Sequence, residues 1–312
     1  MAFRKATNFC KIEGILSEID LKYGSYTDKV TGEPIETIGG SIKVLVEQEI
    51  NEEKIVNEVP VYMFSKKFTK AGKINPAYDA IEKVMKEYVS IASSGDKNVA
   101  DKVRITSGEI KMNEFIGQNK QLVSQPRVQA NFIQRVTGEF KPDARFEIEF
   151  MASKIYRQVD GEGVEVEPAR LVVEACVPQY TPDNASVMNV DLVPLVATSP
   201  RAIEGIESNW EAGSCYRVKG RLNFTSRTES VIEEVDWGEA QERVRTINTH
   251  DLLITGGNNT PLDGEYAWEV EDIRAGMAAR AAKIEAMKNG EKSTVKQAPA
   301  KNSTKGTQDL GF

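Results

Sequence analysis

Asn75-Pro76-Ala77-Tyr78-Asp79-Ala80-Ile81-Glu82-Lys83-Val84-Met85-Lys86-Glu87-Tyr88-Val89-Ser90-Ile91 is where the apolar period in the first half of the chain changes from two residues to a helical one. Ala77, Ile81, Val84, Met85, Tyr88 and Ile91 recur at helical spacing, Asn75 stands as N-cap, and Pro76 occupies the first turn, where its missing N–H costs nothing. The segments on either side read as strands. Upstream, Phe9–Tyr23 places Ile12, Ile15, Ile19 and Leu21 in one long extended pattern that must bend at Gly14. A turn-rich stretch, Gly24–Gly40, separates it from strands at Ile42–Val46 and Val59–Phe64. Downstream, Val103–Ile110 and Val128–Ile133 are again extended. The order is three strands, one helix, two strands.

The second half repeats that order with almost no identical residues. Phe146–Val159, Leu171–Val177 and Val187–Val196 read as three strands; a helix, Pro200–Trp210, follows, capped by Ser199 and carrying Ile203, Ile206 and Trp210 on one face. Tyr216–Leu222 and Leu252–Ile254 complete the set. Arg217-Val218-Lys219-Gly220-Arg221-Leu222 echoes Arg104-Ile105-Thr106-Ser107-Gly108-Glu109-Ile110, each soon after its helix. Five strands with a helix between the third and fourth is the chain order of the OB-fold, a small Greek-key barrel. The expected fold class is therefore all-β with minor α: OB barrels at residues 1–140 and 141–264, an amphipathic helix at 265–289 and a disordered tail at 290–312. In that helix Val270, Ile273, Met277, Ala281 and Ile284 form one apolar side, expected to dock on the second barrel. The tail has too few apolar residues to offset the entropy of ordering.

Composition narrows the chemistry. The chain has 312 residues with 40 Lys plus Arg against 47 Asp plus Glu, a formal charge of −7. No apolar run approaches the roughly 20 residues of a membrane span, and no apolar leader opens the chain, so no membrane partner and a cytoplasmic location are expected. One histidine, His250, and three scattered cysteines supply no zinc-ligand spacing, and Gly72-Lys73 is followed by Ile74 where a phosphate loop needs Ser or Thr. No metal, cofactor or catalytic residue is expected. The acidic run from Glu229 to Glu242 reads as a solvated loop, and His250 as structural.

Single-stranded nucleic acid is held by aromatic faces that stack on bases and by cations that track phosphates. Tyr62-Met63-Phe64-Ser65-Lys66-Lys67-Phe68-Thr69-Lys70-Ala71-Gly72-Lys73 interleaves both without an acid, and so does Tyr216 to Arg227. Tyr23, Tyr26, Tyr62, Phe68 and Tyr156 lie among polar neighbours and are the expected stacking residues. Lys66, Lys67, Lys70, Lys73, Arg217, Lys219, Arg221 and Arg227 are the expected phosphate contacts, whereas Phe64 and Phe224 read equally well as core.

Over roughly residues 8–260 this architecture resembles the single-stranded DNA-binding proteins built on OB barrels, most closely the tandem-barrel kind of some bacteriophages. The resemblance implies sequence-tolerant binding and protection of single-stranded DNA during replication, recombination and repair, without catalysis. Bacterial-type members end in a disordered linker and an acidic, aromatic tip that docks replication and recombination proteins. Asp309, Leu310 and Phe312 match that tip, although Gly311 stands where proline is usual and the linker carries lysines. An adaptor whose barrels bind other proteins is the alternative.

Overall fold

The computed structural model describes residues 3–28, 31–50, 52–69, 71–117, 119–182, 185–233 and 241–289, and only the backbone of 53, 226–233 and 241–248. The expected tail, including Asp309, Leu310 and Phe312, lies outside the described residues, as do Lys70 and the side chains of Arg227 and the acidic run.

Alternation along the first third builds β1 (Asn8–Thr27), β2 (Pro34–Ile50) and β3 (Glu53–Lys66). Of the stretch read as turn-rich, most is hairpin instead: β1 and β2 pair through Tyr23↔Ile38 and Tyr26↔Ile35. Gly40 serves close approach, since a Cβ there would lie 2.0 Å from the Asp20 carbonyl oxygen, whereas Gly32, at φ 74°, sits in the turn. β1 pairs with two strands of its barrel, Cys10 to Ile15 with β4 (Lys102–Ile116) and Ile15 to Thr27 with β2, with a bulge at Ser17 early in the β2 pairing. That bulge turns the strand around the barrel.

α1 (Pro76–Glu87) begins where Asn75 accepts from the Ala77 amide and buries Ala77, Tyr78, Ile81 and Val84. It stops short of Ile91 because Tyr88 is extended and the Val89 amide is taken by the Asp101 carboxylate at 2.8 Å. A separate turn, α2 (Ile91–Ser94), starts there on a Ser90–Ser93 capping box. The fifth strand, β5 (Leu122–Gln129), lies earlier than the expected Val128–Ile133. It pairs with β4 and meets β3 in parallel through Val61↔Val128 and Tyr62↔Gln129, after which Ala130 leaves the sheet. The closed order is β1-β2-β3-β5-β4-β1. A two-residue strand, β6 (Gln134–Arg135), edges β4.

The second barrel repeats this with β7 (Asp143–Arg157), β8 (Leu171–Pro178), β9 (Val190–Ala197), α3 (Pro200–Asn209), β10 (Cys215–Glu233) and β11 (Gln241–Gly257). Its order is β7-β8-β9-β11-β10-β7, with the same parallel closure, Leu253↔Val196, and a bulge at Ser153 matching Ser17. The two barrels share a seam, because β1 and β7 pair antiparallel from Asn8↔Ile148 to Glu13↔Asp143. Cys10 opposes Phe146 there, and each in turn opposes a glycine of its own barrel, Gly108 or Gly220. A Cβ on Gly220 would lie 2.3 Å from the Phe146 ring, which explains the echoed glycine. A local two-fold thus passes through the Cys10–Phe146 pair. Its consequence is a reciprocal hold: the Met112 amide donates to Asp191 on the second barrel at 3.4 Å, and the Phe224 amide donates to Asn57 on the first at 3.1 Å.

After a 3-10 turn at Gly264–Tyr266, α4 (Val270–Lys288) packs on β8 and β9, as expected, and also on β4 of the first barrel. Gly276 seats it, for a Cβ there would lie 2.5 Å from Val190 and 2.7 Å from the Met188 carbonyl oxygen. A largely buried Arg280–Glu114 ion pair ties it to the first barrel. No helix among the described residues is long and apolar enough to cross a membrane.

Candidate nucleic-acid interface

Alternation on β3 turns Val59, Val61, Met63 and Ser65 inward, all buried, and leaves Pro60, Tyr62, Phe64 and Lys66 outward. Register aligns these with neighbours into rows across the barrel: Asp20–Ser41–Tyr62–Gln129, Lys22–Gly39–Phe64 and Gly24–Thr37–Lys66. Gly39 is required in its row, because a Cβ would lie 2.9 Å from the Phe64 ring, which lies over the bare backbone. Beyond it Tyr26, 39% exposed, carries the Lys66 ammonium 5.4 Å from its ring centre.

Across the β3–β5 closure, Arg127 shares the outward face with Gln129. Its guanidinium lies 4.2 Å from the centre of the Tyr62 ring, in cation–π contact. Nη1 donates to Asn113 at 3.3 Å, Nε is buried without a partner, and no carboxylate reaches ion-pair distance among the described residues. Burial holds its pKa below the ordinary arginine value, yet a guanidinium does not lose its proton in a protein. The group is a half-desolvated cation with donors to spare. Lys66 likewise lacks a carboxylate among the described residues. Other charges of the face are paired: Lys22 with Asp20 at 3.4 Å, in the Phe64 and Tyr62 rows, and Lys43 with Glu18 at 2.6 Å one row below. The face therefore carries its aromatics and, among the described residues, its unpaired cations (Tyr26, Tyr62, Phe64, Lys66, Arg127) beside neutralised pairs on β1 and β2.

The expected site residues are only partly brought together. Tyr23 faces the other way: three residues from Tyr26 on a strand, it shares the inward side with Ile38, and its hydroxyl donates to Glu82 of α1 at 2.6 Å. Lys67 lies on that side too, held by Glu36. Both line a groove of about 620 Å³ with Tyr78, Asp79 and Glu82, whose acids disfavour phosphate. Phe68, half exposed, and Lys73, exposed, follow in the connection to α1. Tyr156, 45% exposed, occupies the place that Asp20 takes in the first barrel, in the row Tyr156–Val172–Val196–Leu253. Val196 and Leu253 therefore stand where Tyr62 and Gln129 stand, and α4 covers part of the β8–β9 face. Arg217, Lys219 and Arg221 face outward on β10 at the seam; Arg217 is spent on Glu147.

Two residues escaped the sequence reading. Phe64 reads in the sequence as a residue that could easily be core, whereas the structure turns it outward with Tyr62. Arg127 was missed because nothing in its own segment is aromatic, and only the parallel closure brings it to Tyr62.

The fold is similar to that of a solved structure. The wild-type single-stranded DNA-binding protein of Thermus aquaticus is 11% identical, with a TM-score of 0.50 over 86% of this chain and 99% of that one. A deletion variant of that protein is 10% identical, with a TM-score of 0.47 over 83% of this chain and 97% of that one. The former likeness bears on the fold, an OB pair in a single chain. Among curated proteins none matches. The family described as YorF matches residues 6–290, nearly the whole described chain, and the protein belongs to the YorF family.

Proposed function

We propose that the protein binds single-stranded DNA without sequence preference and without catalysis, on the outward face of the first barrel. The observation that carries this reading is the Arg127–Tyr62 pair. A cation with no carboxylate at ion-pair distance among the described residues, set on an aromatic ring at the centre of an OB barrel's β2–β3 face, is arranged for a phosphate beside a stacked base. Tyr26 and Phe64 continue the stacking surface, and Lys66 supplies the next cation. Every base has a π-face, so such a surface discriminates little among sequences. The name of the Thermus protein agrees with this reading.

Protection of strands during replication, recombination and repair in the cytoplasm, with Asp309, Leu310 and Phe312 docking partner proteins, extends the same proposal. Deleting residues 309–312 should leave DNA affinity unchanged and abolish capture of those partners. For the site itself, Arg127→Gln tested on labelled oligo-dT should weaken binding and flatten its salt dependence by about 0.7 in the log–log slope, one phosphate contact on a single strand. An unchanged slope and affinity would remove Arg127 from the site and the reading with it.

A further inference from the structure

We propose that the seam between the barrels carries a second phosphodiester-binding track, which receives the strand as it leaves the first barrel. This rests on the single-strand reading above and adds a site outside the β2–β3 face. Lys11, Arg145 and Arg221 oppose one another in register on three adjacent strands, β1, β7 and β10. Directly opposed like charges destabilise a sheet. Here three stand in one row ~10 Å across.

The counter-charges do not cancel it. Among the described residues Asp143 is the one carboxylate at ion-pair distance from the row, 3.7 Å from Lys11 and 3.1 Å from Arg145. Arg221 has no carboxylate at ion-pair distance among the described residues, and neither has Lys219 in the next row, Phe9–Glu147–Lys219, where Glu147 is taken by Arg217. Phe9, 37% exposed in that row, adds an aromatic edge beside the cations. The neighbouring groove of about 450 Å³ shows the contrast, since its Arg104, Arg135 and Lys141 are matched by Glu13, Asp101 and Glu139. Excess positive charge is thus local to the row.

The row also lies on the right surface. From Arg127 the sheet runs unbroken through β5, β4, β1, β7 and β10, with Lys111, Lys11, Arg145 and Arg221 all outward. A strand seated on Tyr62 and Arg127 can pass along this surface without crossing α4, which packs on the opposite face of the β4–β5 arm through Glu114.

The test uses the full chain and oligo-dT of about 8 and about 30 nucleotides, the shorter within the site size of one OB barrel. Arg145→Gln combined with Arg221→Gln should leave the short oligomer's affinity within twofold and weaken the long one about tenfold. The long oligomer's log–log salt slope should fall by about 1.4, two phosphate contacts. The melting temperature should not drop, because opposed charges are relieved. Arg201→Gln with Arg274→Gln, two exposed arginines on α3 and α4, controls for net charge and should change neither oligomer. An unchanged long-oligomer affinity, or an equal loss in the control, overturns the track. Failure of the wild-type protein to bind the short oligomer while the long one remains sensitive would instead overturn the first-barrel site and leave the seam. Binding of neither oligomer overturns both.

Discussion

Arg127 reaches Tyr62 because β3 and β5 close the barrel over two parallel residue pairs, and this places one cation where stacking and phosphate contact can occur together. Tyr62→Ala should therefore cost about 1–3 kcal/mol of single-strand affinity, equally for oligo-dT and mixed sequences. Tyr23→Ala should leave single-strand affinity unchanged, since the ring faces α1 and its hydroxyl is committed to Glu82. A loss in Tyr23→Ala equal to that of Tyr62→Ala would place the DNA on the wrong side of β1. A separate residue-scale prediction concerns Glu13, a fully buried carboxylate gripped by Arg104 at 2.7 and 3.1 Å and by the Lys141 amide at 2.8 Å. The hydrogen bond from Arg104, helped by that amide, holds its pKa below the ordinary glutamate value against the opposing effect of burial. Its contribution is therefore present above the unfolded carboxyl pKa, about 4.3, and is lost as pH falls through the lower folded value. Arg104→Ala should destabilise the fold at neutral pH, because it leaves the buried Glu13 carboxylate without its cation. Denaturant melts at pH 7 and pH 3 should show this difference shrinking in acid.

At the scale of elements, the helix α4 depends on a single glycine. Gly276→Ala pushes a methyl into Val190 and the Met188 carbonyl, an overpacking worth about 1–3 kcal/mol. Thermal melts should show the loss, and limited proteolysis should cut the variant first within α4. The caps that start α1 and α3, Asn75-Pro76 and Ser199-Pro200, are local chemistry and were legible in the sequence; so was the repeated strand order around them. The end of α1 was not, because Tyr88 continues the apolar spacing while the competing Asp101–Val89 hydrogen bond comes from across the fold. The hairpin hidden in Gly24–Gly40 escapes for the opposite reason, since Gly39 and Gly40 mark close approach of strands and Gly32 the turn. Tyr23 and Tyr26 looked alike because polar neighbours flank both, yet an odd spacing on one strand sends them to opposite faces. Arg127 carried no local signal.

Across the whole molecule, the duplication is symmetric in its frame and asymmetric in its surfaces. The two-fold at Cys10–Phe146 and the reciprocal Met112–Asp191 and Phe224–Asn57 bonds make the barrels one body with one continuous apolar core. The surfaces have diverged: the first barrel turns the half-buried Tyr62 and Arg127 outward, whereas the second places Val196 and Leu253 there and receives α4. Binding should accordingly be led by one barrel and extended by the seam. The most direct test of this account is fluorescence anisotropy of labelled oligo-dT and of duplex DNA, titrated with the full chain at low and moderate salt. The account predicts tight single-strand binding that weakens as salt rises, with duplex bound far more weakly. Equal affinity for both forms, or no binding to single strand at low salt, would contradict it.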